Sequence, residues 1–134
     1  MNVTGSCHCA EIQFEATIDP KRVGICHCTD CQIFSSAPFR TSALVAGEQF
    51  HLVRGQPATY LKTAESGNQR NLAFCGRCGT HLYAAPTSGT ISFYSVRVGV
   101  LSERAQIRPV AQLWCQSELS WLSDISNLHR IESQ

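Results

Sequence analysis

The chain has 134 residues, 43% of them hydrophobic, which suits one domain with a buried core and is too apolar for a disordered chain. Eleven Lys and Arg against ten Asp and Glu leave a formal charge of +1 with no basic run, so the electrostatic footprint of a nucleic-acid binder is missing. No run of about eighteen apolar residues and no signal-peptide pattern is present, so no membrane partner and a cytoplasmic location are expected.

In chain order, the first clear element is Glu11-Ile12-Gln13-Phe14-Glu15-Ala16-Thr17, which alternates strictly and puts Ile12, Phe14 and Ala16 on one face, as a half-buried strand does. A short helical turn is expected over residues 29–35. Strands follow over residues 40–46, 50–53, 58–62, 71–74, 81–84, 91–98 and 111–114. Gly47, Gly55, Pro57, Gly67, Pro86 and Gly89 punctuate them. A last helix is expected over residues 117–128, where Trp121, Ile125 and Leu128 fall at helical spacing. Many short strands and little helix predict a mainly β, antiparallel fold. With no repeat, linker or low-complexity tract, residues 1–134 form a single domain.

Seven of the eight cysteines fall into three tight clusters: Cys7-His8-Cys9, Cys26-His27-Cys28-Thr29-Asp30-Cys31 and Cys75-Gly76-Arg77-Cys78. In a reducing compartment such clusters bind soft cations such as zinc more often than they pair as disulfides. Cys7 and Cys9, two apart on an extended backbone, direct their sulfurs to one side and His8 to the other. Cys75-x-x-Cys78 is a knuckle, in which Gly76 and Gly79 tolerate unusual backbone angles. These two jaws supply four thiolates, the set for a closed structural site. Such a clip joins distant parts of the chain, and metal binding becomes folding free energy, on the order of 10 kcal/mol in small zinc domains. Cys26, Cys28 and Cys31 supply three, which leaves one coordination position for water, for substrate, or for Cys115, the eighth thiol. A three-thiolate site suits activation of an incoming thiol better than peptide hydrolysis.

The clusters and their neighbours resemble the glutathione-dependent formaldehyde-activating family, which includes the centromere protein V domain. Gly5-Ser6-Cys7-His8-Cys9 leads into Ile12-Gln13-Phe14. Cys26-His27-Cys28-Thr29-Asp30-Cys31 runs on through Ala37-Pro38-Phe39, and Phe74-Cys75-Gly76-Arg77-Cys78-Gly79-Thr80 runs through Leu82-Tyr83. The resemblance implies an open β-tent with two zinc ions per chain. Cys7, Cys9, Cys75 and Cys78 would hold the structural one, and Cys26, Cys28 and Cys31 the catalytic one. It also implies the family's activity, addition of glutathione to formaldehyde to give S-hydroxymethylglutathione, a carbon–sulfur lyase reaction in reverse. The partners are then a small thiol and a small aldehyde. Two departures bear on substrate: the run after Cys31, Gln32-Ile33-Phe34-Ser35-Ser36, is more apolar and less cationic than in many relatives, and Gln112 follows Pro109 where relatives often carry His.

The competing reading is a non-catalytic binding module whose two metals are both structural, with Cys115 closing the second site. Arg40, Arg54, Lys62, Arg70 and Arg77 are the cations available to the carboxylates of glutathione. Thr29 and Asp30 are placed to hydrogen-bond a metal-bound sulfur. His8, His27, His51, His81 and His129 read as strand or surface histidines. Trp114 and Trp121 read as core aromatics, and Tyr60, Tyr83 and Tyr94 as packing residues.

Overall fold

A computed structural model describes residues 1–64 and 66–133. Among these residues, ten strands form two open sheets. The smaller joins β1 (Asn2–Ser6), β2 (Gln13–Thr17) and β5 (Phe50–Arg54), all antiparallel, with β2 in the middle. The larger has seven strands in the order β10 (Ala111–Leu113), β3 (Val23–Cys26), β4 (Arg40–Ala46), β9 (Phe93–Arg97), β8 (His81–Ala85), β7 (Gln69–Phe74) and β6 (Ala58–Thr63). Every neighbouring pair in it is antiparallel except β10 beside β3, which is parallel. The single α-helix of the described residues, α1, spans Thr29–Ser35.

Alternation explains the core. Val3 on β1, Phe14 and Ala16 on β2, and Ala43 and Val45 on β4 point inward at every second position. They meet Leu82, Val96 and Leu101 in one cluster shared by both sheets. Phe50 is its aromatic hinge: its ring stacks on Tyr94 at 4.1 Å and Phe14 at 5.0 Å, and meets Tyr83 edge-on at 4.9 Å. Gly5 faces Phe14 across the β1–β2 register, and a Cβ there would sit 2.0 Å from the end of the Phe14 ring. Only glycine lets that ring lie over the strand.

The structure differs from the expectation in three places. β1 and β3 carry no sequence signal strong enough to announce them. Each is short, contains a glycine and has a polar or half-buried end, yet each completes a ladder. The helix over 117–128 forms instead as a 3-10 helix over Ser120–Asn127, with Trp121, Ile125 and Leu128 about half exposed. Trp114 is likewise 58% exposed rather than in the core, and sits in the left-handed region at φ 59°. Without a face to pack against, spacing alone does not sustain an α-helix of this length. No helix of the described residues is long and apolar enough to cross a membrane.

Candidate metal centres

The first two jaws close on each other. Cys7 leaves β1 and enters a turn in which the Ala10 N–H donates to the Cys7 carbonyl at 3.0 Å. Cys7 and Cys9 are therefore gathered by a turn rather than by an extended strand. His8 is exposed, as expected. The knuckle between β7 and β8 is closed by the Gly79 N–H to the Cys75 carbonyl at 2.8 Å. Gly79 takes φ +74°, whereas Gly76 needs no positive φ. The sulfurs of Cys7, Cys9, Cys75 and Cys78 all lie within 4.8 Å of one another. Cys7–Cys9 and Cys9–Cys75 are 3.6 and 3.7 Å apart.

Electrostatics alone cannot ionise all four thiols. Cys78 is pulled down to about 5, first by the Thr80 hydroxyl 3.2 Å from its sulfur and then by backbone N–H groups. Cys7 is lowered against its own burial by the Ile12 N–H, 3.3 Å from the sulfur. Cys9 keeps a proton: although the Glu11 N–H favours its thiolate, burial and the three neighbouring sulfurs push it up to about 11. A dication at the centre of the group would remove that conflict by drawing all four to thiolate.

The second cluster is built at the end of β3 and the start of α1. Cys26 is the last residue of β3, and Cys28 is the N-cap of α1. One helical turn then turns Cys31 inward, to 2% exposure. The three sulfurs lie within 4.8 Å of one another, and Cys115 is not among them. Cys115 is exposed, on the 3-10 turn Cys115–Ser117, which is tied to α1 by Gln32 Nε2 donating to the Ser117 carbonyl at 2.9 Å. Cys28 is lowered despite burial, by the Cys31 N–H, the two neighbouring thiols and the positive charge of Lys62. Cys31 is raised, chiefly by burial, although Arg40 pulls the other way. This group too holds fewer charges than thiols until a cation joins it.

Asp30 does not reach a sulfur; it pairs with Lys62 at 2.5 Å and so fixes the cation that acts on Cys28. His27 is 1% exposed rather than a surface residue. Its Nε2 donates to Gln112 Oε1 at 2.8 Å, its ring lies edge-on to Phe39, and its Nδ1 has no partner. The Gln112 departure is thus a strap from β10 to the cluster loop. Beside the cluster, a cavity of 540 Å³ opens among Phe34, Phe39, Arg40, His81, Arg97 and Val100. The sequence gives neither Arg97 nor His81 a place in a site. Arg97 sits in no motif, and His81, which lies inside the run that follows the Cys75–Cys78 knuckle, reads there as a strand or surface histidine; strand pairing brings both beside α1.

An open two-sheet β fold carrying one four-thiol and one three-thiol group defines a class of protein with two cysteine clusters, each able to hold a metal ion. The sequence model of the glutathione-dependent formaldehyde-activating enzyme matches residues 2–117, and the chain belongs to that family. An uncharacterized lyase of Schizosaccharomyces pombe is 30% identical over 90 residues, which are 67% of this chain and 62% of the relative's own length. A crystal structure of a Rhodobacter sphaeroides protein superposes with a TM-score of 0.62 at 20% identity, covering 81% of this chain and 98% of that one; the likeness is one of fold.

Proposed function

We propose that this protein is a zinc enzyme that adds a small thiol, such as glutathione, to a small aldehyde, such as formaldehyde, and catalyses the reverse cleavage. The single observation behind the reading is the inequality of the two clusters: four sulfurs gathered in one, three in the other, with Cys115 outside the second. The donor chemistry fits zinc. A tetrahedral ion with Zn–S bonds of about 2.3 Å needs sulfur–sulfur edges of about 3.8 Å, close to the 3.6 and 3.7 Å found in the first cluster. Cys7, Cys9, Cys75 and Cys78 would hold the structural ion, and Cys26, Cys28 and Cys31 the catalytic one. Clustered thiols kept free for metal are favoured in a reducing compartment, which supports a cytoplasmic location.

Cys26, Cys28 and Cys31 would hold a zinc ion whose chemistry is to lower the pKa of an incoming thiol. In the addition, the thiol loses its proton and the sulfur lone pair forms the new S–C bond. The carbonyl π pair moves to oxygen, which takes up a proton, so nothing is oxidised or reduced. Within the chain, Asp30 fixes the Lys62 ammonium where that cation favours the Cys28 thiolate, although the pair as a whole is neutral. Phe34, 5.8 Å from Tyr60, gives the α1 side an apolar wall that limits water.

Bound zinc per chain, sulfur neighbours by X-ray absorption, and formation of the hemithioacetal test this together. The reading expects two zincs averaging fewer than four sulfurs each. It expects Cys31→Ser to lose one zinc and all turnover while the fold persists. Full turnover by Cys31→Ser, or four sulfurs around both ions, would refute it.

A further inference from the structure

Two arginines meet at the cavity beside the second cluster without an acid to answer them. Arg40 faces Cys26 across the β3–β4 register, and Arg97 on β9 faces Ser42 on β4. Arg97 is 7% exposed. Its Nη1 donates to Ser42 Oγ at 3.0 Å and to the Ser95 carbonyl at 3.1 Å, while its Nη2 and the Nε of Arg40 are buried with no partner. Among the described residues, no carboxylate lies within 4.0 Å of either guanidinium. Unpaired buried guanidinium donors are costly, and they persist in folded proteins where a ligand completes them.

The charge count points the same way. Three thiolates around a dication leave one negative charge, the Asp30–Lys62 pair cancels itself, and His81 is held neutral by burial and the two arginines. Against that single negative charge stand two guanidinium groups. Arg97 is drawn down to about 9 by burial and by Arg40, and so stays charged at neutral pH. One positive charge remains, in a space that Phe34, Phe39 and Val100 keep apolar and that is large enough for a small organic molecule.

We infer that Arg40 and Arg97 form a carboxylate-binding subsite, so that the substrate of the second cluster carries a carboxylate seated in this cavity. Planar guanidinium donors match a carboxylate in shape as well as charge. The inference rests on the thiol-addition reading for what reacts beside Cys31, but anion binding is measurable without reaction. The carboxylate belongs either to the thiol, as in glutathione, or to the aldehyde, as in an oxoacid.

The experiment titrates the zinc-loaded protein by calorimetry with S-methylglutathione, which has carboxylates and no free thiol, and with glycolate, a small unreactive hydroxyacid. The same titrations are run on Arg40→Gln, Arg97→Gln and Arg97→Lys, each checked for zinc content and folding. Loss of about tenfold or more in affinity for one ligand in both Gln variants, partly restored in Arg97→Lys, supports the subsite. Loss for S-methylglutathione assigns the carboxylate to the thiol, and loss for glycolate assigns it to the aldehyde. No binding of either by the unaltered protein, or equal affinity across all folded variants, overturns it. Turnover of 2-mercaptoethanol with formaldehyde by the unaltered protein tests the thiol-addition reading separately, since neither reactant carries a carboxylate.

Discussion

The Cys28 sulfur accepts the Cys31 N–H at 3.4 Å, so the residue that caps α1 is also one of the three thiols that α1 gathers. The two roles separate by mutation. Serine is a good N-cap and a poor ligand for a soft ion, whereas alanine is neither. Cys28→Ser and Cys28→Ala should both lose the second metal and all activity. With that metal absent from both, Cys28→Ala should be less stable than Cys28→Ser by about 1 kcal/mol. Urea unfolding of the two variants checks this, and equal midpoints would mean that the sulfur holds no helix end.

Thr80 plays a comparable double part in the first cluster. Its hydroxyl oxygen accepts the His8 N–H at 3.1 Å, and the hydroxyl lies 3.2 Å from the Cys78 sulfur, to which it donates once that sulfur is a thiolate. It therefore ties the Cys7–Cys9 turn to the knuckle and feeds a hydrogen bond into the ligand set. Thr80→Val keeps the shape and removes both bonds, so metal affinity at the first cluster should fall about 10–100-fold. Thr80→Ser should retain most of it. Competition with a chromogenic chelator reads the difference. Metal bound at such a site adds its binding free energy to folding, so with zinc present the valine variant should also unfold at lower urea.

How far the sequence discloses this molecule depends on whether a feature is local. The cysteine clusters are, because two or three ligands come from one turn of chain, and their spacing announces them before any fold is known. β4 is found over the same residues as its alternation predicts, and α1 likewise over Thr29–Ser35. β1 and β3 are not legible, since their glycines serve neighbours: Gly5 makes room for Phe14, and Gly24 lies under Leu113 of β10. The cavity is the least legible part. Arg40, His81 and Arg97 come from three strands whose adjacency follows from sheet order, and no spacing in the chain brings them together. The pattern of Trp121, Ile125 and Leu128 misleads for the converse reason, a helical period with no core to bury it.

His81 gives the sheet beside that cavity a pH dependence of definite sign. Its ring stacks on Phe74 at 5.9 Å, and burial, followed by the charges of Arg97 and Arg40, holds its pKa below the ordinary 6.5. The unfolded chain therefore takes up this proton more readily than the folded one. The neutral ring's contribution is complete above pH 6.5 and is lost as the pH falls through that value toward the folded pKa, with a slope of at most about 1.4 kcal/mol per pH unit. His81→Phe keeps a flat ring and removes the titration. Any metal lost on acidification is lost by both proteins, and that shared loss cancels when they are compared. The stability difference should be flat from pH 7 to 8 and move in favour of the variant below pH 6.5. Urea unfolding of both proteins at half-unit intervals between pH 5.5 and 8 measures it. Parallel curves throughout would show that His81 titrates in the folded protein as it does in water, and that the arginines do not act on it.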